Sequence, residues 1–346
     1  MELRTTTRGS QSVAEDGVAP SVPTAYFLAG PTAVGKTELA LRLAERVGGE
    51  IISVDSMQVY RGLDVGTAKA TAAERARIPH HLIDVVDLTG AFDAAQFVRR
   101  AHDAATAISG RGHVPIFCGG TGLYFRAYQE GLGEAPPADA ALRGQLEHTP
   151  LDELWRELEA ADPITFGRID RQNPRRVIRA VEVIRRTGRP FSEQRADWSQ
   201  SKTESTLADG VCLCFQREAA ELRSRIDRRV DAMFRAGLVA ETENLLKQGL
   251  AQNQTAMQAI GYRQVVEHLR GERSLEETIE WVKIRTRQFA KRQLTWFRRQ
   301  PHFGWVTLSA EDSATDLVEQ LLAGTLPVTR ESRPTRSHLQ SPAVPP

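Results

Sequence analysis

Gly30-Pro31-Thr32-Ala33-Val34-Gly35-Lys36-Thr37 decides the fold. The stretch fills the pattern G-x-x-x-x-G-K-[ST], with the apolar run Tyr26–Ala29 before it and a helical run through Val47 after it. Its glycines let main-chain N–H groups curl around phosphate oxygens at a helix N-terminus. Lys36 reaches a terminal phosphate as a point charge, and the Thr37 hydroxyl suits Mg²⁺. Residues 30–37 therefore read as a nucleotide- or diphosphate-binding cradle. Working outward, Glu50–Val54, Leu82–Val86 and Val114–Cys118 read as strands, with helical spacing over Phe92–Ser109. Strands alternating with helices of this length predict right-handed crossovers and an α/β, doubly wound parallel sheet. Asp55 ends the second strand, eighteen residues beyond Thr37. Strand ends gather at one rim of such a sheet, so its carboxylate is expected to face the phosphates.

Strand signals vanish between Asp139 and Trp198, where Leu142–Glu147, Leu151–Ala161 and Arg175–Thr187 have helical spacing. This predicts an all-α insertion. Val211–Phe215 returns to the sheet, helices follow from Glu218, and 274–299 reads as one long helix. Its expected apolar stripe is Leu275, Ile279, Val282, Phe289 and Trp296. Phe303–Leu308 completes the strands. The expected organisation is a core of 23–137 and 202–310, an insertion of 138–201, and a C-terminal helix in 311–324. The Ser-, Thr- and Pro-rich ends, 1–22 and 325–346, read as disordered tails.

The 346 residues suit roughly two domains, and 41% hydrophobic against 26% charged content excludes wholesale disorder. No apolar run reaches spanning length, and Glu2, Glu15 and Asp16 exclude a secretory signal, so no membrane is expected and the cytoplasm is the expected compartment. Cys212 and Cys214 alternate on one strand face as core thiols, and no Cys/His spacing suits a metal. The net charge is only +1, yet nine arginines lie between Gly167 and Arg195 against three acids. Seven basic residues and no acid lie between Trp281 and Arg299. Two basic blocks in a near-neutral chain point to a localised polyanion surface. A nucleotide-splitting enzyme wants a second acid at a strand end, but Gly119-Gly120 follows Val114–Cys118, leaving Asp55 as the one well-placed carboxylate. A small-molecule kinase, with Asp55 on an acceptor hydroxyl, is the alternative reading.

Five further stretches carry a resemblance: Ser53-Val-Asp-Ser-Met-Gln-Val-Tyr60, Gly62-Leu-Asp-Val-Gly-Thr-Ala-Lys69, Gly119-Gly-Thr-Gly-Leu-Tyr124, Ala259-Ile-Gly-Tyr-Arg263 and Thr286-Arg-Gln-Phe-Ala-Lys-Arg-Gln-Leu-Thr-Trp-Phe297. Together with the phosphate loop, over about residues 24–310, they resemble the bacterial tRNA dimethylallyltransferases. The resemblance implies transfer of a dimethylallyl group from dimethylallyl diphosphate to N6 of the adenosine at tRNA position 37, with Mg²⁺; a monomer is the default expectation. It implies Asp55 as general base, Thr37 and the loop around Lys36 as diphosphate and metal site, and Arg229 as a second-segment clamp. It further implies tRNA contacts at Asp55, Ser56, Met57, Gln58, Thr121 and Arg143, at Arg175, Arg176, Val177, Ile178 and Arg179, and at Met257, Gln258, Ala259, Ile260, Gly261, Tyr262 and Arg263. On this reading the first basic block flanks the insertion that grips the anticodon stem, and the second lies at the rear of the core. One departure is small: Asp139-Ala-Ala stands where the family often has Asp-Pro.

Overall fold

The computed structural model describes residues 24–196 and 210–329. The chain begins β1 (Ala25–Ala29), α1 (Lys36–Val47), β2 (Gly49–Val54), α2 (Ala72–Arg77), β3 (His80–His81), α3 (Ala94–Gly110), β4 (Val114–Gly119) and α4 (Gly122–Glu130). Five helices follow without a strand: α5 (Ala140–Glu147), α6 (Leu151–Ala161), α7 (Pro163–Arg168), α8 (Pro174–Thr187) and α9 (Phe191–Gln194). The chain then returns through β5 (Gly210–Arg217), α10 (Ala219–Arg235), α11 (Leu238–Lys247), α12 (Tyr262–Leu269), α13 (Leu275–Phe297), β6 (Gly304–Leu308) and α14 (Ala314–Leu322).

The six strands form one sheet in the order β3-β2-β4-β1-β5-β6, parallel throughout. Because side chains alternate across a strand, Phe27, Ile52, Phe117 and Cys214 enter one core layer while Tyr26, Leu28, Ile116 and Leu213 enter the other. Phe27 and Phe117 stack at 4.6 Å between centroids. The register pairs Ala29 with Gly119 and Val54 with Gly119. The phosphate loop, Asp55 and the Gly119-Gly120 turn therefore leave the sheet side by side.

Local chemistry sets the helix ends. A capping box starts α13: Ser274 Oγ accepts from Glu277 N at 3.2 Å, and a Glu277 carboxylate oxygen accepts from Ser274 N at 2.9 Å. Pro174 opens α8 and left-handed Gly188 closes it. The insertion has its own core of Leu146, Leu154, Leu158, Val177, Ile178 and Val181, each buried aliphatic contributing roughly 1.5–3 kcal/mol.

Four expectations need correction. The strand expected at Leu82–Val86 is instead the two-residue β3 just before it. Leu82 and Asp84 adopt φ of 63° and 56°, which ends the ladder, and Val86 meets only Tyr60 in an isolated bridge. The stripe of α13 is shifted, burying Val282, Ala290, Gln293 and Phe297 while Leu275 and Phe289 stay exposed. Residues 325–329, expected in the C-terminal tail, are held to the sheet, since Thr329 exchanges two main-chain hydrogen bonds with Trp305, of 2.7 and 2.9 Å. Val177 and Ile178 place their side chains in the insertion's core rather than toward a ligand. The expectations for 1–22 and for 330–346 lie outside the described residues.

Candidate active site

The phosphate loop is held open from behind. Gly30 has φ of 145°, and a Cβ there would sit 2.6 Å from Phe215 O, so only glycine fits. Ala33 holds φ of 63°, a strained value for a residue with a side chain. Its carbonyl is gripped by Arg225 Nε at 2.8 Å, and that of Val34 by Arg217 Nε at 2.8 Å. Lys36 Nζ donates to Gly30 O at 2.8 Å and Pro31 O at 2.6 Å. With these carbonyls engaged, the N–H groups of Ala33, Val34 and Gly35 make no hydrogen bond among the described residues and are available to an anion. Gly35 caps α1 without a side-chain hydrogen bond, so the helix N-terminus is free to meet an anion.

Burial pulls the Lys36 ammonium down to about 8, helped by the neighbouring charge of Arg229. Arg229 is likewise pushed down by burial, with Asp55 opposing. Among the described residues its buried Nε has no hydrogen-bond partner, and Nη2 reaches Thr67 O at 3.4 Å. An orphaned guanidinium of this kind is a site prepared for an oxyanion. Beneath the loop, Cys118 Sγ lies 3.8 Å from Lys36 O, and burial pushes its thiol up to about 11.

Asp55 follows β2 and folds into a turn: Oδ1 accepts from Met57 N at 2.8 Å and Gln58 N at 3.3 Å. The turn is braced by Thr121 Oγ1, which accepts from Ser56 N at 3.1 Å, and by Gln58, whose Oε1 accepts from Ser53 Oγ at 2.8 Å. A single cleft of about 960 Å³ brings together Thr32, Ala33, Lys36, Thr37, Asp55 and Arg229. Its walls add Ser56, Met57, Gln58, Thr121, Gln258, Ala259, Ile260 and Arg263.

The other expected contacts divide. Tyr262 is buried, its hydroxyl donating to Glu241 at 2.6 Å and accepting from Gly66 N at 3.1 Å, which makes it scaffold for the 62–69 loop. Arg143 and Arg179 converge on buried Glu182, at 3.1 and 2.7 Å. Arg175 bridges the insertion to the core through Gln254 O at 2.8 Å. Arg176 is exposed with no partner among the described residues. The second basic block is not at the rear. Lys283 and Arg287 pair with Asp231 and Asp227 of α10, while Arg285 and Arg292 join the cleft wall beside Phe289. Arg217, Arg225 and Gln293 were missed, their places being set by contacts far apart in sequence, as was Arg228 on the cleft wall.

Thr37 is exposed at the cleft, and its hydroxyl has no hydrogen bond among the described residues. No group of three acidic, His or Cys side chains suited to a metal is present among them. One hydroxyl supplemented by phosphate oxygens and water is a donor set that Mg²⁺ takes up, so the residues fit this ion.

Comparison with known proteins identifies the family. The IPP transferase family model matches residues 58–300. The chain is 46% identical over 297 residues to tRNA dimethylallyltransferase 1 of Trichlorobacter lovleyi, covering 85% of this chain and 96% of that protein. It is also 46% identical to the tRNA dimethylallyltransferase of Halorhodospira halophila, over 86% and 96%. Among solved structures it is similar to the tRNA isopentenylpyrophosphate transferase of Bacillus halodurans, with TM-score 0.62, 38% identity, and 88% and 97% coverage. A eukaryotic dimethylallyltransferase acting on tRNA aligns with TM-score 0.72 at 27% identity over 90% and 82%. With its phosphate loop, Asp55 turn and helical insertion on the parallel sheet these proteins share, the chain belongs to the IPP transferase family.

Proposed function

We propose that the protein transfers a dimethylallyl group from dimethylallyl diphosphate to N6 of the adenosine at tRNA position 37, just 3′ of the anticodon, releasing diphosphate. The observation that carries this reading is the shared cleft of the phosphate loop, Asp55 and Arg229. A leaving-group cradle thereby faces a base across a space large enough for a flipped base and a five-carbon chain.

In the reaction the C1–O bond of the allyl diphosphate breaks and the electron pair leaves with the diphosphate. The N6–C1 bond forms, and the N6 proton passes to a carboxylate oxygen of Asp55. Adenine N6 is a weak nucleophile because its lone pair is delocalised into the ring, so drawing off the proton as the bond forms is worth the usual 10²–10⁴-fold, on the order of a positioned base. Lys36, Arg229 and the available N–H groups of the loop meet charge developing on the leaving group. Mg²⁺, when bound, would be held by Thr37 with diphosphate oxygens and would neutralise part of that charge. The kinase alternative lacks its strand-end acid, since β4 ends at Gly119 and Gly120 follows it.

Exposed Arg176 on the insertion, with Arg263, Arg285 and Arg292 at the cleft, supplies positive charge for an RNA backbone. No helix among the described residues is long and apolar enough to cross a membrane, and we assign the protein to the cytoplasm as a monomer. Mass analysis of tRNA after incubation with dimethylallyl diphosphate and Mg²⁺ tests the reading. One C5H8 unit on an adenosine is expected. Unmodified tRNA together with turnover of ATP on a small acceptor would overturn it.

A further inference from the structure

Gln293 sits near the C-terminal end of α13 at 7% exposure, and the reaction drawn above gives it no task. Its amide spends both ends on main-chain groups of two different loops. Oε1 accepts from Thr32 N at 3.0 Å, and Nε2 donates to Gly120 O at 3.0 Å. Thr32 lies in the phosphate loop. Gly120 precedes Thr121, whose N–H donates to Val54 O at 3.1 Å and whose hydroxyl accepts from Ser56 N. The path Thr32–Gln293–Gly120–Thr121–Ser56 thus runs from the leaving-group cradle to the turn that carries Asp55.

The glycines around it explain how this contact is possible. A Cβ on Gly120 would lie 2.2 Å from Gln293 Nε2, and one on Gly122 would lie 2.1 Å from the Trp296 ring. Gln293 and Trp296 are three apart on one face of α13. The Gly119-Gly-Thr-Gly122 stretch is therefore bare where that helix face closes onto it. A side-chain amide combines a neutral donor and acceptor at one end, and glutamine has the stem to reach both loops.

We propose that Gln293 is a positioning residue that fixes the phosphate loop at a set distance from the Asp55 turn, and so aligns leaving group and base. This rests on the proposed transferase reading. Misplacing reacting groups by about 1 Å costs on the order of 10²-fold in rate, so losing the clamp acts on kcat before it acts on binding.

The test uses the full chain with Gln293→Met, which keeps volume and removes both bonds, and Gln293→Glu, which keeps both only with its carboxyl protonated. Gln293→Met should leave the Kd for dimethylallyl diphosphate within about threefold and lower single-turnover kcat by roughly 10- to 100-fold. In an Asp55→Asn background the same change should cost less than about twofold, because alignment with a missing base no longer matters. Gln293→Glu should outperform Gln293→Met as pH is lowered toward about 6, where the carboxyl regains a donor. A Met variant within about twofold of wild-type kcat, an equal loss in both backgrounds, or a Glu variant no better than Met at low pH would each overturn the proposal. Hydrogen exchange at the Thr32 amide separates this from failure of the reading itself. If wild-type protein transfers no prenyl group, the reading has failed, while faster Thr32 exchange in Gln293→Met still reports the clamp.

Discussion

Replacing Asp55 by Asn separates two jobs of one carboxylate. Oδ1 holds the turn through Met57 N and Gln58 N, while Oδ2 has no hydrogen bond among the described residues and the side chain lines the cleft. Asparagine keeps an acceptor for the turn, and at about 1 kcal/mol per net hydrogen bond the fold should lose less than about 1 kcal/mol. It cannot take a proton at neutral pH. The rate should therefore fall by about 10²–10⁴, or roughly 2.7–5.5 kcal/mol of barrier, with dimethylallyl diphosphate and tRNA affinities within a few-fold. Asp55→Ala removes both jobs and should add about 1–3 kcal/mol of destabilisation, because two half-buried N–H groups lose their acceptor. Single-turnover transfer at saturating substrates measures the first effect, and urea unfolding the second. An Asn variant within about fivefold of wild-type rate would refute the base assignment. Equal stability of the Asn and Ala variants would refute the turn role.

Lys36 gives a pH prediction: on the proposed reading its ammonium binds the diphosphate, burial pulls its pKa down to about 8, and so affinity should be level below that pH. Above it affinity should weaken by up to about tenfold per unit, and calorimetric titration showing no weakening there would count against the role. Arg176→Ala should reduce the log–log salt slope of tRNA binding by roughly one, read by filter binding across ionic strength; an unchanged slope makes it a solvated surface residue. For Glu50, burial would raise the carboxyl pKa, but hydrogen bonds from His81, Arg111 and His113 outweigh it and bring it to about 2. Its stabilisation is complete above the ordinary carboxylate value and is lost as pH falls toward about 2. Glu50→Gln should therefore lose stability at neutral pH and flatten the acid limb of the Tm profile, and an identical acid limb would be the contrary result.

The β1–loop–α1 unit was legible because its chemistry is local: an apolar strand, glycines at fixed offsets, then a helix start. Asp55 was legible for a related reason, since it ends an apolar strand and strand ends share a rim. Leu82–Val86 misled because apolar residues were read as a strand while two left-handed residues bent the chain under the 58–63 loop. Short apolar runs carry no sign of such a bend. The stripe of α13 was misplaced because this helix packs over polar cleft-facing loops as well as core, so Gln293 is buried and Phe289 is not. Arg225 and Gln293 were invisible because their partners lie 192 and 261 residues away. The basic blocks were legible as charge, but not as the division between Glu182-bound scaffold arginines and those facing the cleft.

That division bears on how the site stabilises a leaving diphosphate. Arg217 and Arg225 spend a donor each on the carbonyls of Val34 and Ala33, so part of their work is to shape the loop. A left-handed alanine persists only where its surroundings over-determine it, and here an arginine on its carbonyl is one such constraint. The available N–H groups are thereby fixed before any phosphate arrives, and preorganised dipoles stabilise charge without reorganising during the reaction. Lys36 is different. Its two bonds are to Gly30 O and Pro31 O of its own loop, and it must exchange them to reach a phosphate oxygen. Arg229, whose buried Nε has no partner among the described residues, has no such bond at that atom to give up. On the proposed reading, the rigid loop and Arg229 therefore supply the interaction that is ready at the outset, while Lys36 contributes by moving, and the alignment of both with Asp55 depends on what holds the two loops together.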